Sequence, residues 1–254
     1  MVSAIRIGRI INPTDLKCVL ADCSDNATLQ NLMSTVDANT IKKLDGLIVA
    51  DIESIVKHQH VFLGKTSPAY ILRAGSEVLR SSNPKASVKN VVVKALQMDF
   101  SAIISTFTIG YEDERIDSDN MRLITMLSEA CHDYELPFIV EAMPFGERVS
   151  SENYGESVGL AARMADEVGA SIVAVPPLKR LEDLKNVKDS VKTYMLLIDP
   201  SSKLLVERIS QSPSDVLSNA LSIGLNGVIL SSSLTIEGAV KLLSEVLSTV
   251  HRRS

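Results

Sequence analysis

Residues 168–177 read VGASIVAVPP and combine a helix end, a short strand and a turn. Gly169 follows a helical segment, Gly155–Val168, at the position where helices commonly end in glycine. The next run, Ser171–Pro176, is almost continuously apolar, which is typical of a strand covered on both faces. The stretch therefore predicts one helix-to-strand unit of an α/β fold.

Apolar runs of this kind recur along the whole chain. The eight predicted strands are Lys17–Ala21, Leu44–Ala50, Ala69–Ala74, Phe100–Thr108, Pro137–Ala142, Ser171–Pro176, Thr193–Asp199 and Asn226–Ser231. Helical segments separate them, such as Asp119–Tyr134, where Met121, Ile124 and Leu127 recur every three residues and mark one apolar face. Eight strands that alternate with helices predict an α/β fold, a (β/α)8 TIM barrel, with residues 1–254 as a single domain.

The alternative fold is a doubly wound open sheet. Such sheets usually carry a glycine-rich phosphate loop after the first strand. Here the first strand leads into residues 21–30, ADCSDNATLQ, which contain no glycine. The barrel is therefore the favoured prediction.

Composition limits the classes of function. Hydrophobic residues make up 45% of the 254 residues, aromatic residues only 4%, and Trp is absent, so the core must be aliphatic. A formal net charge of −5 gives no general attraction to nucleic acid or to an anionic membrane, and no apolar run approaches a membrane span. The N-terminus lacks the apolar core of a signal peptide. We therefore expect a cytoplasmic protein with no nucleic-acid or membrane partner.

Neither a metal nor a cofactor is predicted. Cys18, Cys23 and Cys131 are odd in number and have no metal-type spacing, so we expect free thiols in a reducing compartment. His58 and His60 are two residues apart near the end of a predicted helix, where they would not share a face. No zinc-ligand spacing occurs elsewhere.

Four passages together resemble one enzyme family. They are RIGRIINP (6–13), TIGYEDE (108–114) followed by LPFIVEAMPFGE (136–147), AARMADEVGASIV (161–173) and GLNGVILSSSL (224–234). Their order is similar to that in the class I, Schiff-base aldolases of the archaeal fructose-bisphosphate aldolase type and their deoxyribose-phosphate-aldolase-like relatives. The resemblance spans most of the chain and implies a barrel, a homo-oligomer and a small phosphorylated substrate.

The chain departs from this family where the chemistry is expected. The resemblance implies a lysine on the sixth strand, which forms an iminium with a ketone, and a proton-transferring tyrosine after the fifth. Ala174 stands at the lysine position and Met143 at the tyrosine position. The family acid after the first strand aligns with Cys23; Asp22, one residue early, would face the other way unless the strand end is irregular.

The turns that would hold a phosphate also differ. The resemblance implies glycine-rich turns after strands seven and eight, whose amides bind a phosphate. Here they become DPSS (199–202) and SSS (231–233). Serine amides and hydroxyls can also hold an anion, so the predicted phosphate-binding residues are Ser201, Ser202, Ser231 and Ser232.

Several polar side chains remain at the C-terminal ends of the strands, where barrels carry their sites. These are Asp22, Asp51, Arg73, Glu141, Asp199 and Ser231. We select Glu141, Asp22 and Arg73 as catalytic candidates and expect burial to raise the pKa of Glu141. The alternative is an arginine–carboxylate network that satisfies itself, with Glu141 paired to Arg73 or Arg148.

Two functional hypotheses follow. The first is a metabolite-binding or catalytically silent member of the aldolase family, since no lysine stands at position 174. The second is a divergent lyase that acts on a phosphorylated sugar or small oxo compound through carboxylate acid–base catalysis. Lys179 and Lys203, just past strands six and seven, are the replacement amines to consider.

Overall fold

Eight parallel strands close into a barrel in the order β1 to β8. The computed structural model describes residues 2–57, 67–199, 211–231, 234 and 239–251. The strands are β1 Cys18–Asp22, β2 Gly46–Val49, β3 Ala69–Arg73, β4 Ala102–Phe107, β5 Phe138–Ala142, β6 Ile172–Val175, β7 Tyr194–Ile198 and β8 Gly227–Leu230. Because β1 pairs in parallel with both β2 and β8, the sheet has no edge. The barrel prediction is confirmed and the open-sheet alternative is wrong.

Helices connect the strands around the outside. In the described residues they are α1 Val2–Ile7, α2 Asn26–Thr35, α3 Ala38–Ile41, α4 Ile52–Lys57, α5 Pro84–Gln97, α6 Glu114–Asp133, α7 Tyr154–Glu167, α8 Leu181–Ser190, α9 Pro213–Ser222 and α10 Ala239–Val250, with a 3-10 turn at Ser76–Arg80. The helix expected from Asp119 begins five residues earlier, because the Asp113 side chain accepts a hydrogen bond from the Arg115 amide and caps it. After α7, Gly169 has a φ of 94°, which confirms it as the helix-terminating glycine.

Alternation along each strand divides the apolar side chains into two cores. On β5, Ile139 belongs to the core inside the barrel, whereas Val140 and Ala142 belong to the core between barrel and helices. Ile10 and Ile11, in the segment between α1 and β1, are also part of the inner core. This segment therefore helps to fill the barrel near the N-terminal ends of the strands.

Gly227 allows β8 to close on β1. Its φ is 142°, and a Cβ atom at this position would lie 1.8 Å from the Cys18 carbonyl oxygen. No other residue tolerates both the backbone conformation and this approach. Barrel closure thus depends on a glycine at the first residue of β8.

A histidine joins the C-terminal helix to the N-terminal end of the barrel. The His251 ring contacts Asp15 through Nδ1 at 2.8 Å and Asp45 through Nε2 at 2.9 Å. Asp45 also accepts a hydrogen bond from the Val19 amide on β1 at 2.7 Å. The hydrogen bond to Asp45, and then that to Asp15, outweighs burial and raises the pKa of His251 to about 9. The protonated ring therefore donates to both carboxylates at neutral pH.

The cysteines behave as small apolar residues. Cys18, Cys23 and Cys131 are buried and free, as predicted. Burial raises the pKa of the Cys131 thiol to about 12, so it is not a reactive thiolate. In the described ranges, none of the helices has the length and apolarity needed to cross a membrane.

Candidate functional site

Four polar side chains converge at the C-terminal ends of strands β1, β3, β4 and β5. Asp22 and Arg73 are the last residues of β1 and β3, Thr106 lies on β4, and Glu141 lies on β5. Thr106 and Glu141 occupy paired positions on adjacent strands. All four side chains point into the barrel, because alternate residues of a strand face the same side. The residues two positions earlier all belong to the inner core: Leu20, Ile71, Ile104 and Ile139.

Arg73 forms the centre of an ion network. Its Nη2 donates to Asp22 Oδ2 at 2.6 Å and to Glu141 Oε1 at 3.0 Å, and its Nη1 donates to Glu141 Oε2 at 2.7 Å. The Thr106 hydroxyl donates to Glu141 Oε2 at 2.7 Å and accepts from Arg73 Nη1 at 3.1 Å. Both Glu141 oxygens are thus held in a bidentate arrangement. We name Asp22, Arg73, Thr106 and Glu141 the mouth cluster.

Electrostatics favour the charged forms of Glu141 and Arg73. Burial alone raises the pKa of Glu141, which is only 7% exposed, but the charge and hydrogen bonds of Arg73 and the hydrogen bond of Thr106 lower the pKa below its ordinary value. The expectation of a raised pKa for Glu141 is therefore wrong, because the guanidinium outweighs desolvation. Burial also lowers the pKa of Arg73, yet its two carboxylate partners raise it overall. The cluster therefore holds Glu141 as a carboxylate bound to a guanidinium.

The first strand places its acid on the inner face. Asp22 continues the regular pairing of β1 with β2 and faces inward, whereas Cys23 belongs to the outer core. An irregular strand end is therefore not needed to bring Asp22 to the mouth, contrary to expectation. The Asp22 carboxylate also accepts hydrogen bonds from the Ser24 amide at 3.0 Å and hydroxyl at 2.6 Å, which fix its orientation.

Ala174 lies beside Glu141 on the inner face of the barrel. It pairs with Glu141 on β5 and with Leu196 on β7, and it is fully buried in the inner core. Met143, the first residue after β5, also belongs to this core and is 6% exposed. The eight strands contain no lysine, and Arg73 is their single cation.

The inner surface of the barrel has two unlike sides. The charged side comprises the mouth cluster on β1, β3, β4 and β5. The other side is formed by β6, β7 and β8 and carries Ala174, Leu196, Ile198 and Ile229. Solvent reaches the charged side, because Thr106 is exposed.

Of the four predicted phosphate contacts, the structure describes Ser231, and its amide already binds a carboxylate. The Ser231 amide donates to Asp199 Oδ2 at 2.8 Å, and Asp199 is only 1% exposed. An anion at this amide would have to approach that carboxylate. Ser201, Ser202, Ser232 and Lys203 lie outside the described residues, so phosphate binding at these turns stays a prediction.

The other candidates lie away from the mouth cluster or outside the described residues. Lys179 is exposed and lines a groove between α7 and α8, and Asp51 is exposed beyond the end of β2. Arg148 donates to Glu114 and to the Glu112 carbonyl rather than to Glu141. His58 and His60 lie outside the described residues, and the ranges that are described contain no cluster of three or more potential metal ligands.

Thr106 was not among the site residues predicted from the sequence. The signal was present in the parity of the strand, since Ala102, Ile104 and Thr106 fall on one face of FSAIISTFT. A polar residue that ends an inward-facing series belongs at the mouth of the barrel. Counting alternate residues from Ala102 would have found it.

The fold and the polar strand ends define the class of protein. A closed (β/α)8 barrel with ionisable groups at the C-terminal ends of its strands has the architecture of the TIM-barrel enzymes. The sequence profile described as DeoC/LacD family aldolase matches residues 9–206. The chain belongs to this family, which confirms the resemblance drawn from its sequence.

Individual relatives are distant. The chain is 23% identical over 165 residues to an uncharacterized aldolase of Saccharolobus solfataricus, covering 64% of this chain and 59% of the relative. It is 29% identical over 159 residues to 2-amino-3,7-dideoxy-D-threo-hept-6-ulosonate synthase 1 of Archaeoglobus fulgidus, covering 59% of this chain and 58% of the relative. The chain thus spans less than two thirds of the length of these relatives.

A solved structure shows the same fold. A Schiff base forming fructose-1,6-bisphosphate aldolase superposes with a TM-score of 0.73 at 17% sequence identity, covering 98% of this chain and 100% of that chain. At this identity the likeness establishes the barrel and leaves its chemistry to be argued from the residues.

Proposed function

We propose that this chain is a metabolite-binding or catalytically silent member of the DeoC/LacD family that lacks class I aldolase activity. The observation that carries the proposal is the alanine at position 174. By resemblance this is the position of the Schiff-base lysine, and its methyl group lies on the inner face of β6, beside Glu141. A methyl group forms no iminium, so the electron sink on which the family chemistry depends is missing.

No other strand residue replaces the amine. An iminium-forming lysine needs a pKa depressed by burial or by a neighbouring cation, and it must reach the bound ketone. None of the eight strands contains a lysine. Lys179 is exposed in the groove between α7 and α8, outside the barrel. Lys203 is outside the described residues and is left to the experiment.

The state of the mouth cluster supports the same proposal. A general acid at neutral pH needs a raised pKa, whereas Arg73 and Thr106 hold the pKa of Glu141 below its ordinary value. Both oxygens of Glu141 accept hydrogen bonds from within the cluster. The carboxylate is therefore an ionised partner of Arg73 and not a poised proton donor.

A second function has one observation in its favour. Thr106 is exposed, so a ligand in the mouth could reach the hydroxyl that bridges Arg73 and Glu141. A divergent lyase that uses Glu141 and Asp22 for acid–base catalysis on a phosphorylated sugar or small oxo compound would need this access. Such an activity would survive borohydride treatment with substrate and would be lost on Glu141→Gln, which distinguishes it from Schiff-base chemistry.

The first experiment is borohydride reduction in the presence of dihydroxyacetone phosphate, followed by intact mass spectrometry. We expect no adduct on this protein and a stable adduct on a Schiff-base-forming fructose-bisphosphate aldolase treated in parallel. An adduct mapped to one lysine, with Lys179 and Lys203 the first to inspect, would overturn the proposal. The Ala174→Lys variant is the internal comparison, since trapping at residue 174 would show that the mouth still admits the ketone.

Ligand binding is tested separately from chemistry. We propose a small phosphorylated metabolite as ligand, with Ser201, Ser202, Ser231 and Ser232 as phosphate contacts. Inorganic phosphate and dihydroxyacetone phosphate are titrated by NMR, with the Ser231 amide as reporter. The Asp199 carboxylate at this amide predicts a small response for phosphate alone.

We also propose a single domain over residues 1–254, a cytoplasmic location in keeping with the free cysteines, and homo-oligomeric assembly.

A further inference from the structure

We propose that the outer face of α7 is a self-complementary surface that binds a second copy of this chain about a two-fold axis. Glu156, Leu160 and Arg163 follow one another at spacings of four and three residues, which places them on one face of the helix. All three are exposed, and Leu160 is 46% exposed despite being apolar. The opposite face, with Val158 and Ala161, is buried against the barrel.

The two charges of this face have no ion-pair partner among the residues that the structure describes. In the described part of the chain, neither Glu156 nor Arg163 forms an ion pair. Exposed charges nearby do pair, for example Arg180 with Asp183 at 2.8 Å. An acid and a base of this kind on one helix face are the elements that a symmetric partner would complete.

The order of the charges fits a two-fold axis. Glu156 lies toward the N-terminus of α7 and Arg163 toward its C-terminus, about 10 Å apart along the axis. When a helix packs antiparallel against its own copy near residues 159 and 160, each Glu156 meets the Arg163 of the other subunit. The contact is therefore made twice, as an isologous interface requires.

A groove next to Leu160 supplies the matching concave surface. It lies between α7 and α8, has a volume of about 850 Å³, and includes Gly155 and Gly159 in its lining. A Cβ atom would lie 3.5 Å from Asp183 at Gly155 and 3.6 Å from Val187 at Gly159, which are ordinary contact distances. Packing of α7 on α8 thus leaves room for a methyl group at both positions. In the two-fold arrangement, the open side of the groove receives Leu160 of the second copy.

The contact is small for a specific interface. Stable protein–protein interfaces bury about 1,200–2,000 Å² in total, and one helix face with its groove falls at or below the low end. We therefore expect a dimer with a dissociation constant on the order of micromolar that weakens with added salt, since its ion pairs are exposed.

The test uses the full chain in sedimentation equilibrium between about 1 and 100 μM. We expect a monomer–dimer equilibrium in the wild type. The single charge reversals Glu156→Arg and Arg163→Glu should each weaken dimerisation at least about tenfold, because symmetry places two like-charge contacts in every dimer. The double reversal should restore it. Lys94→Glu, a reversal at an exposed position of α5, is the matched control and should leave assembly unchanged.

Leu160→Ala provides a second variant that leaves the charges in place, and it should also weaken the dimer. Circular dichroism and urea unfolding of each variant separate lost assembly from lost folding. A monomer at 100 μM would overturn the proposal. So would assembly that is insensitive to both single reversals, because it would use another face. The proposal is independent of the chemistry at the mouth of the barrel.

Discussion

Glu141 and Ala174 occupy paired positions on adjacent strands, β5 and β6, and both side chains face the inside of the barrel. The methyl group of Ala174 offers the Glu141 carboxylate neither a charge nor a hydrogen bond. The partner of this carboxylate is Arg73 on β3, whose guanidinium reaches past β4 and also binds Asp22. The mouth is therefore organised around an arginine that already has two carboxylate partners.

Removing the arginine should destabilise the barrel. Arg73→Met leaves Glu141 buried without a counter-charge, and we expect a loss of about 3 kcal/mol in the free energy of unfolding. Glu141→Leu in the same chain should recover a large part of that loss, because the most deeply buried charge is removed and Asp22 keeps its hydrogen bonds from Ser24. Urea unfolding of the two single variants and the double variant measures the coupling between them.

Arg9→Met is the matched control, since the Arg9–Asp99 pair is well exposed and should contribute little. Equal losses for Arg73→Met and Arg9→Met, or additive effects of the Arg73 and Glu141 substitutions, would contradict a network centred on Arg73.

Acid should weaken the protein through Glu141. Its folded pKa lies below the unfolded value of about 4.3, so the folded state favours the ionised form. The resulting stability is present above about pH 4.3 and is lost as the pH falls through the lower folded pKa. Unfolding free energies of wild type and Glu141→Gln, measured from pH 7 to pH 3, should therefore converge toward acid pH. A difference that stays constant or grows below pH 4 would show that the pKa of Glu141 is not lowered.

Alkali should weaken the attachment of the C-terminal helix. The folded pKa of His251 is about 9, against about 6.5 in an unfolded chain. The sign is opposite to that for Glu141: the contribution is full below about pH 6.5 and disappears as the pH rises through about 9. NMR titration of the His251 ring should give a pKa near 9. His251→Gln should lower stability at pH 6 and have a much smaller effect at pH 9.5.

Two glycine substitutions should act in opposite directions. Gly227→Ala places a Cβ atom 1.8 Å from the Cys18 carbonyl oxygen at a φ of 142°, so we expect a loss of more than about 3 kcal/mol or a failure to fold. Gly159→Ala lies in the interior of α7 with room for a methyl group and should stabilise the monomer by up to about 1 kcal/mol. Thermal unfolding at low protein concentration measures both, and a tolerated Gly227→Ala would mean that β8 does not approach β1 this closely.

Much of the fold could be predicted because buried parallel strands are apolar on both faces. All eight apolar runs became strands, and Gly169 ends its helix as expected. α6 begins five residues before the predicted start, since its cap depends on one hydrogen bond from the Arg115 amide to the Asp113 side chain, which has no hydrophobic signature. The first residue of a helix is therefore harder to predict from the sequence than the position of a buried strand.

The candidate site was predicted in its members and not in its arrangement. Asp22, Arg73 and Glu141 follow from their positions at strand ends, and strand parity would have added Thr106. The direction of the Glu141 pKa shift could not be predicted, because it depends on whether an arginine reaches the carboxylate. The geometry of the barrel lets Arg73 at the end of β3 reach across β4 to Glu141 on β5.

By itself the sequence determined the succession of strands and helices, the inward parity of each strand and the alanine at position 174, since these depend on residue identity and local periodicity. Tertiary structure decided which charges meet. Arg73 is 51 residues from Asp22 and 68 from Glu141 along the chain, and these residues come together only when eight strands close into one barrel. Burial alone would raise the pKa of Glu141. Closure of the barrel brings Arg73 to 2.7 Å from it, and the attraction between the opposite charges outweighs the loss of solvent, so the pKa is lowered instead.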